Sequence, residues 1–194
     1  MGSPKYKNGF DFTLHPSLTQ LPLSWRKPST IFVSSMSDFF HEKMPYDFFE
    51  ECMNTMEKTP QHIYQILTKR PERMLEFSQR YGKVPDHVWL GTSVELAAYK
   101  PRIDVLRKVD CKVRFLSCEP LLGPLGQINL EGISQVIVGG ESGPNFRPMQ
   151  ADWAREIRDQ CIQKKVAFSF KQWAGTSPKS AGRELDGRIW DEYP

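Results

Sequence analysis

No stretch of this chain approaches the roughly 20 consecutive apolar residues that a membrane-spanning helix needs. The opening MGSPKYKNGFDF carries none of the apolar segment of a secretory signal. Both absences lead to the expectation of a cytoplasmic protein without membrane contact. Cysteine is scarce, and the four present, Cys52, Cys111, Cys118 and Cys161, form no C-x-x-C pair. That spacing argues against a zinc site, whose ligands come in close pairs, and for reduced, mostly buried thiols. His15, His41, His62 and His87 stand without a partner at metal spacing, so no metal is expected. A surplus of one charge is missing too. Lys plus Arg number 26 against 23 Asp plus Glu, a formal +3 without any charged block, which speaks against a dedicated basic arm or an acidic mimic. No P-loop, G-x-G-x-x-G or G-x-S-x-G elbow occurs, and no catalytic residue is assigned.

What is present is a single-domain length of 194 residues with 39% apolar and 12% aromatic residues, enough for a real core. Short apolar, β-branched runs at Ile31–Ser35, Ile63–Thr68, Val88–Ser93, Val113–Ser117, Gln135–Gly139 and Ala167–Lys171 read as strands buried on both faces. Amphipathic helical patterns separate most of them, at Tyr46–Lys58, Glu72–Tyr81, Leu96–Val109 and Trp153–Lys164. Pro45 and Pro71 suit first helical positions, Gly82 a helix end and Asp152 an N-cap. LLGPLGQINLEG, at 121–132, reads as a loop crossover. The alternation predicts an α/β fold with a parallel sheet. Residues 1–30, with Pro16, Pro22 and Pro28, form an irregular N-terminal wrap. Residues 31–173 hold the βα repeats, and 174–194 a tail in which Asp186-Gly187 predicts a hairpin.

The strand ends choose between an open sheet and a barrel. Ser34-Ser35 with Asp38, Thr68-Lys69-Arg70, Ser93 with Glu95, Ser117 with Glu119, Glu141-Ser142 and Lys171-Gln172-Trp173 all place polar groups after a strand. An open sheet needs them only at its switch point, whereas a barrel gathers every carboxyl end at one mouth. A partial (βα) barrel of about six parallel strands is therefore expected. Residues two apart on a strand share a face, so Ser93 and Glu95 point together, as do Ser117 and Glu119. Gly139-Gly140 would let backbone approach a ligand before Glu141. The ligand-binding candidates are Ser93, Glu95, Ser117, Glu119, Glu141, Ser142, Lys171 and Gln172, with carboxylates suited to ribose hydroxyls or an amino group. Lys69 and Arg70, at a helix start, are candidates for phosphate. Each carboxylate alone could instead cap a helix or pair with Lys69, Arg70, Arg147 or Lys171. Three in register favour a polar pocket. A nucleic-acid reading would use Arg26, Lys27, Lys69, Arg70 and Arg73, and the small net charge supports it little.

The segments FVSSMSDFFHE, ILTKRPERM, VWLGTSVE, VRFLSCEPLLGP, VIVGGESGPNFRPM, FSFKQW and DGRIWDEYP, in that order, resemble a family of phage and prophage proteins of unknown function regarded as radical-SAM-like. The resemblance covers nearly the whole chain from Lys5 to Pro194 and implies a barrel of the radical-SAM type, itself TIM-like. It also implies an N-terminal C-x6-C-x-x-C segment whose thiolates hold an iron–sulfur cluster, and no such segment stands ahead of PKYKNGF here. The expectation is a cluster-free chain, with no cofactor, that acts by binding a protein or nucleic-acid partner, for instance as an inhibitor of a host defence nuclease. The alternative is a radical S-adenosylmethionine enzyme. It would use that cofactor and the cluster only if the missing segment is supplied, and its cofactor or substrate would sit on Ser93, Glu95, Ser117, Glu119 and Glu141.

Overall fold

The computed structural model describes Gly9 and residues 11–194. The first part of the expected wrap, residues 1–8 and 10, lies outside the described residues. The remainder of it is less irregular than expected. Pro16–Thr19 (α1) makes one helical turn and Leu21–Ser24 a 3-10 turn, each with proline at its start, where a missing N–H is harmless.

Six strands form one sheet: β1 (Thr30–Val33), β2 (Ile63–Thr68), β3 (Val88–Ser93), β4 (Arg114–Cys118), β5 (Gln135–Gly139) and β6 (Ala167–Gln172). Spatial order equals chain order and every pairing is parallel. The sheet curls into a half-barrel, with the helices of four crossovers on its convex side and a loop in the β4–β5 crossover. Those helices are α2 (Tyr46–Glu57), α3 (Pro71–Tyr81), α4 (Pro101–Leu106) and α5 (Ala151–Lys164). The crossover at 121–132 is a loop, as expected. Met53, Phe77, Leu106 and Ile157 meet Ile66, Leu90, Leu116, Val136 and Phe168 in one convex-side core. Each such side chain contributes about 1.5–3 kcal/mol on burial, which makes this layer the main source of stability.

A second, smaller cluster of Trp89, Val113 and Phe115, bordered by Ile63, Leu67 and Ile137, lines the concave face. Its packing depends on Gly91. A Cβ there would lie 2.6 Å from three ring carbons of Phe115. Only a hydrogen fits between β3 and that ring.

Several boundaries differ from expectation for local reasons. β1 stops at Val33 instead of Ser35, because Ser34 takes a left-handed conformation (φ 56°) and starts a turn closed by the Ser37 N–H on the Ser34 carbonyl. β4 runs one residue later than predicted. The helix expected over Leu96–Val109 is broken into a 3-10 turn, Ala97–Tyr99, and the short α4, since Pro101 cannot continue a helix from Lys100. Pro45 is the N-cap of α2 and not its first residue. Asp152 caps nothing; Gln150 occupies the N-cap of α5, and the Asp152 carboxylate accepts from Arg155. Gly82 (φ 96°) ends α3 as expected. Burial on both faces holds for β3, but β1 and β2 alternate because the concave face is open at their end of the sheet.

The two sheet edges are treated differently. Beyond β6, the Phe170 N–H donates to the Trp190 carbonyl at 2.8 Å and the Glu192 N–H to the Phe168 carbonyl at 3.2 Å, so the tail covers that edge. The predicted hairpin is present as β7 (Glu184–Leu185) and β8 (Arg188–Ile189), turning through Asp186 and Gly187 with positive φ. Arg155 and Arg158 of α5 both grip Asp186 and pull its carboxyl down to about 2. At the other edge, β1 has no outer partner among the described residues. The Ile63 N–H donates to the Ser29 carbonyl, so in a parallel ladder Thr30 and Phe32 turn their backbone groups away from β2. Phe32 is also exposed, as is Met36 at 77%. Among the described residues, no helix is long and apolar enough to cross a membrane.

Candidate functional site

Glu95, Glu119 and Glu141 do stand at the carboxyl ends of the adjacent strands β3, β4 and β5. Each is engaged by a cation of the chain. Glu95 is held by Lys69 at 2.5 Å and by Arg102 at 3.1 Å. Glu119 takes the Lys171 ammonium at 2.9 Å. Glu141 accepts from the Arg147 backbone N–H, Nε and Nη2, at 2.7–2.9 Å; these bonds pull its carboxyl down to about 2. The pairings that sequence reasoning held as the alternative are thus present at all three.

The electrostatics follow from depth. In each pair the carboxylate is the more buried partner, from 6% against 58% at Glu95–Lys69 to 28% against 60% at Glu141–Arg147. Asp38 and Arg70 repeat the pattern, with Asp38 also accepting from Thr68 Oγ1 at 2.7 Å. The mouth therefore presents cations outward over anions that hold them in place. The partly exposed pairs at Asp38, Glu119 and Glu141 add little stability, whereas the buried Glu95 carboxylate depends on Lys69 and Arg102 to match its charge.

Beneath this rim, Ser93 and Ser117 face each other across β3 and β4 on the concave face. Both are buried, 3% and 4% exposed, and among the described residues neither hydroxyl has a hydrogen-bond partner. The structure thus brings together Lys69, Ser93, Glu95, Ser117, Glu119 and Lys171. It leaves others outside. Gln172 is buried at the end of β6, its amide committed to the Gly140 carbonyl and the Lys179 N–H. Ser142 is exposed and pairs through its backbone with Gly175. Arg70 is the N-cap of α3 and is taken by Asp38. The glycines, expected to admit a ligand, admit the chain itself. A Cβ on Gly140 would lie 2.1 Å from the Ala174 nitrogen, and one on Gly139 3.2 Å from the Glu119 side chain. β5 and β6 are thereby zipped past their ends.

Arg26, Lys27, Lys69, Arg70 and Arg73 do not make one surface. Trp25, beside Arg26, meets Gln61 before β2, while Lys69 and Arg70 follow it. Arg73 lies under Phe77 with its Nε buried. Arg102 was missed by sequence reasoning. It donates to the Ser93 carbonyl at 2.9 Å as well as to Glu95, and only the short turn before Pro101 hinted that α4 begins close above β3.

A family model described as "Protein of unknown function (DUF5131)" matches residues 1–194. The chain belongs to this family. No curated protein and no solved structure matches it. The DUF5131 chain's own thiols do not fit an iron–sulfur cluster. Cys52 lies on α2, Cys161 on α5, Cys118 on β4 and Cys111 before it, all free. Burial pushes Cys52 and Cys161 up to about 12 and Cys111 to about 11, and raises Cys118 further. Among the described residues, no three His, Cys, Asp or Glu gather as metal ligands. Thiolate ligation needs the opposite, an electropositive and accessible cluster of thiols.

Proposed function

We propose that this chain acts by binding a protein partner, which docks a strand on β1 and completes the half-barrel. The β1 edge carries the reading: Thr30 and Phe32 turn outward backbone groups that are unpaired among the described residues, beside the exposed Phe32 and Met36 side chains. An exposed parallel edge is a template for strand addition, and the four residues of β1 themselves carry no lysine, proline or bulge, Lys27 and Pro28 lying just before them. The resemblance to phage proteins supplies the setting, in which a host defence nuclease is a partner of the right kind. The radical-SAM-like character of that resemblance is, on this reading, a matter of scaffold. The competing enzymatic reading would seat S-adenosylmethionine at the mouth, and it gains nothing from the chain's own thiols.

The test is affinity purification with Phe32→Pro beside the wild type. Proline there removes an outward N–H and leaves the β2 ladder intact. A stoichiometric partner should co-purify with the wild type and be lost from Phe32→Pro at unchanged melting temperature. The bound wild type should also show slowed hydrogen exchange at Phe32. A partner retained equally by both proteins would sink the edge-docking reading.

A further inference from the structure

Apart from the β1 edge, the mouth carries a second, independent inference: we propose that Lys69, Ser93, Ser117 and Lys171 form a site for a tetrahedral phosphate group, as free phosphate or as a phosphomonoester. The two serines point to a ligand most directly. Their hydroxyls have no partner among the described residues, whereas the concave face engages such a group elsewhere. Ser169, two strands along, donates to the Glu192 carbonyl and accepts from Gln135. Ser93 and Ser117 receive nothing comparable, although they are adjacent in register on β3 and β4. The buried side-chain polar atoms without partners among the described residues are His62 Nδ1, Arg73 Nε and Gln135 Oε1. The two serine oxygens are not among them, so they keep access from the concave face to solvent or to a ligand.

Charge selects the ligand. A hydroxyl can donate to anion or accept from cation, but the groups around this pair are ordered by depth. The Glu95 carboxylate is consumed by Lys69 and Arg102, and Glu119 by Lys171. Each lysine uses one direction toward its carboxylate and, as an ammonium with three donors, keeps others for an oxyanion. Both lysines are more than half exposed on flexible stems, so they can swing over a ligand seated on the serines. Arg102 stays behind, its Nη1 shared between Glu95 and the Ser93 carbonyl, and keeps Glu95 from repelling the anion. Two hydroxyl donors below and two mobile ammonium groups at the sides match a tetrahedral dianion better than a planar carboxylate. The carboxylates, expected to meet ribose hydroxyls or an amino group, instead hold the cations.

Calorimetric titration at about 50 mM salt tests this, because exposed lysines are screened at higher ionic strength. The probes are inorganic phosphate and ribose 5-phosphate, with ribose as the uncharged twin. Wild type should bind one or both phosphates and not ribose. Tighter binding of ribose 5-phosphate identifies a phosphomonoester site; equal or tighter binding of phosphate identifies the free anion. Ser93→Ala and Ser117→Ala should each weaken binding about tenfold, the scale of one hydrogen bond to a charged group. Neither should lower the melting temperature, since no intramolecular bond is lost. Lys69→Met should weaken it similarly, and Lys164→Met, on α5, should leave it alone. No binding of either phosphate, or binding unchanged in both serine variants, would overturn the assignment. Loss of partner capture in Phe32→Pro leaves this site unaffected, so the two proposals fail separately.

Discussion

Replacing Gly91 by alanine is the sharpest probe of the concave face. The added Cβ would stand 2.6 Å from Cε1, Cε2 and Cζ of Phe115, where carbon atoms ordinarily keep about 3.5–4.0 Å. The ring must retreat by about 1 Å, yet it is fully buried beside Trp89 and Val113. Overpacking of this kind costs about 1–3 kcal/mol. The backbone at Gly91 has no positive φ, so alanine also recovers about 0.4–1 kcal/mol by restricting the unfolded chain. The net loss, up to about 2.6 kcal/mol and centred near about 1.3 kcal/mol, lowers Tm by about 3–5 °C at its centre in a protein of this size. Calorimetry and urea unfolding with an unchanged m-value would measure it. The same substitution in a Phe115→Leu background should be neutral or stabilising, because the methyl then fills space that the ring vacated. A cycle with no coupling, or a rise in Tm for Gly91→Ala alone, would refute the packing described.

Thiol titration should find four reactive cysteines in the unfolded chain. In the folded chain at pH 8 it should find almost none, with the half-buried Cys52 first to react; two unreactive thiols after unfolding would indicate a disulfide. The pH dependence of stability should show an acid limb from Glu141 and Asp186. Both carboxyls sit near 2 when folded, below the ordinary value of about 4, so their contribution is complete above about pH 4 and is lost as pH falls through about 2. Urea midpoints measured from pH 6 to 2 should fall over that window. The fall should be smaller in Asp186→Asn, and an equal fall would remove the Asp186 clasp from the account.

The chain itself determined the order of elements and most of their limits. β2, β3 and β5 fall where their apolar, β-branched runs predict, because those runs are bounded by residues that cannot extend them, such as Pro71 after Arg70 and Gly140 after Gly139. The choice of a barrel was legible for a related reason. Polar groups after every strand make sense only if all the carboxyl ends meet. α4 was less legible, since apolar spacing over 96–109 matches a helix while Pro101 forbids a continuous one. The identity of the mouth residues was also readable, but their state was not. Lys69 and Glu95 lie far apart in the chain, as do Glu119 and Lys171, and a side-chain pair across strands exists only once register brings the two ends level. A register shift at the end of β5 and β6 likewise set Gln172 opposite Gly139, with its amide taken up by the chain, while Lys171 reaches Glu119 at the mouth. Only the folded sheet decided that the carboxylates lie beneath their cations and that Ser93 and Ser117 meet with nothing between them, because depth and adjacency are properties of the curled surface and of no single strand.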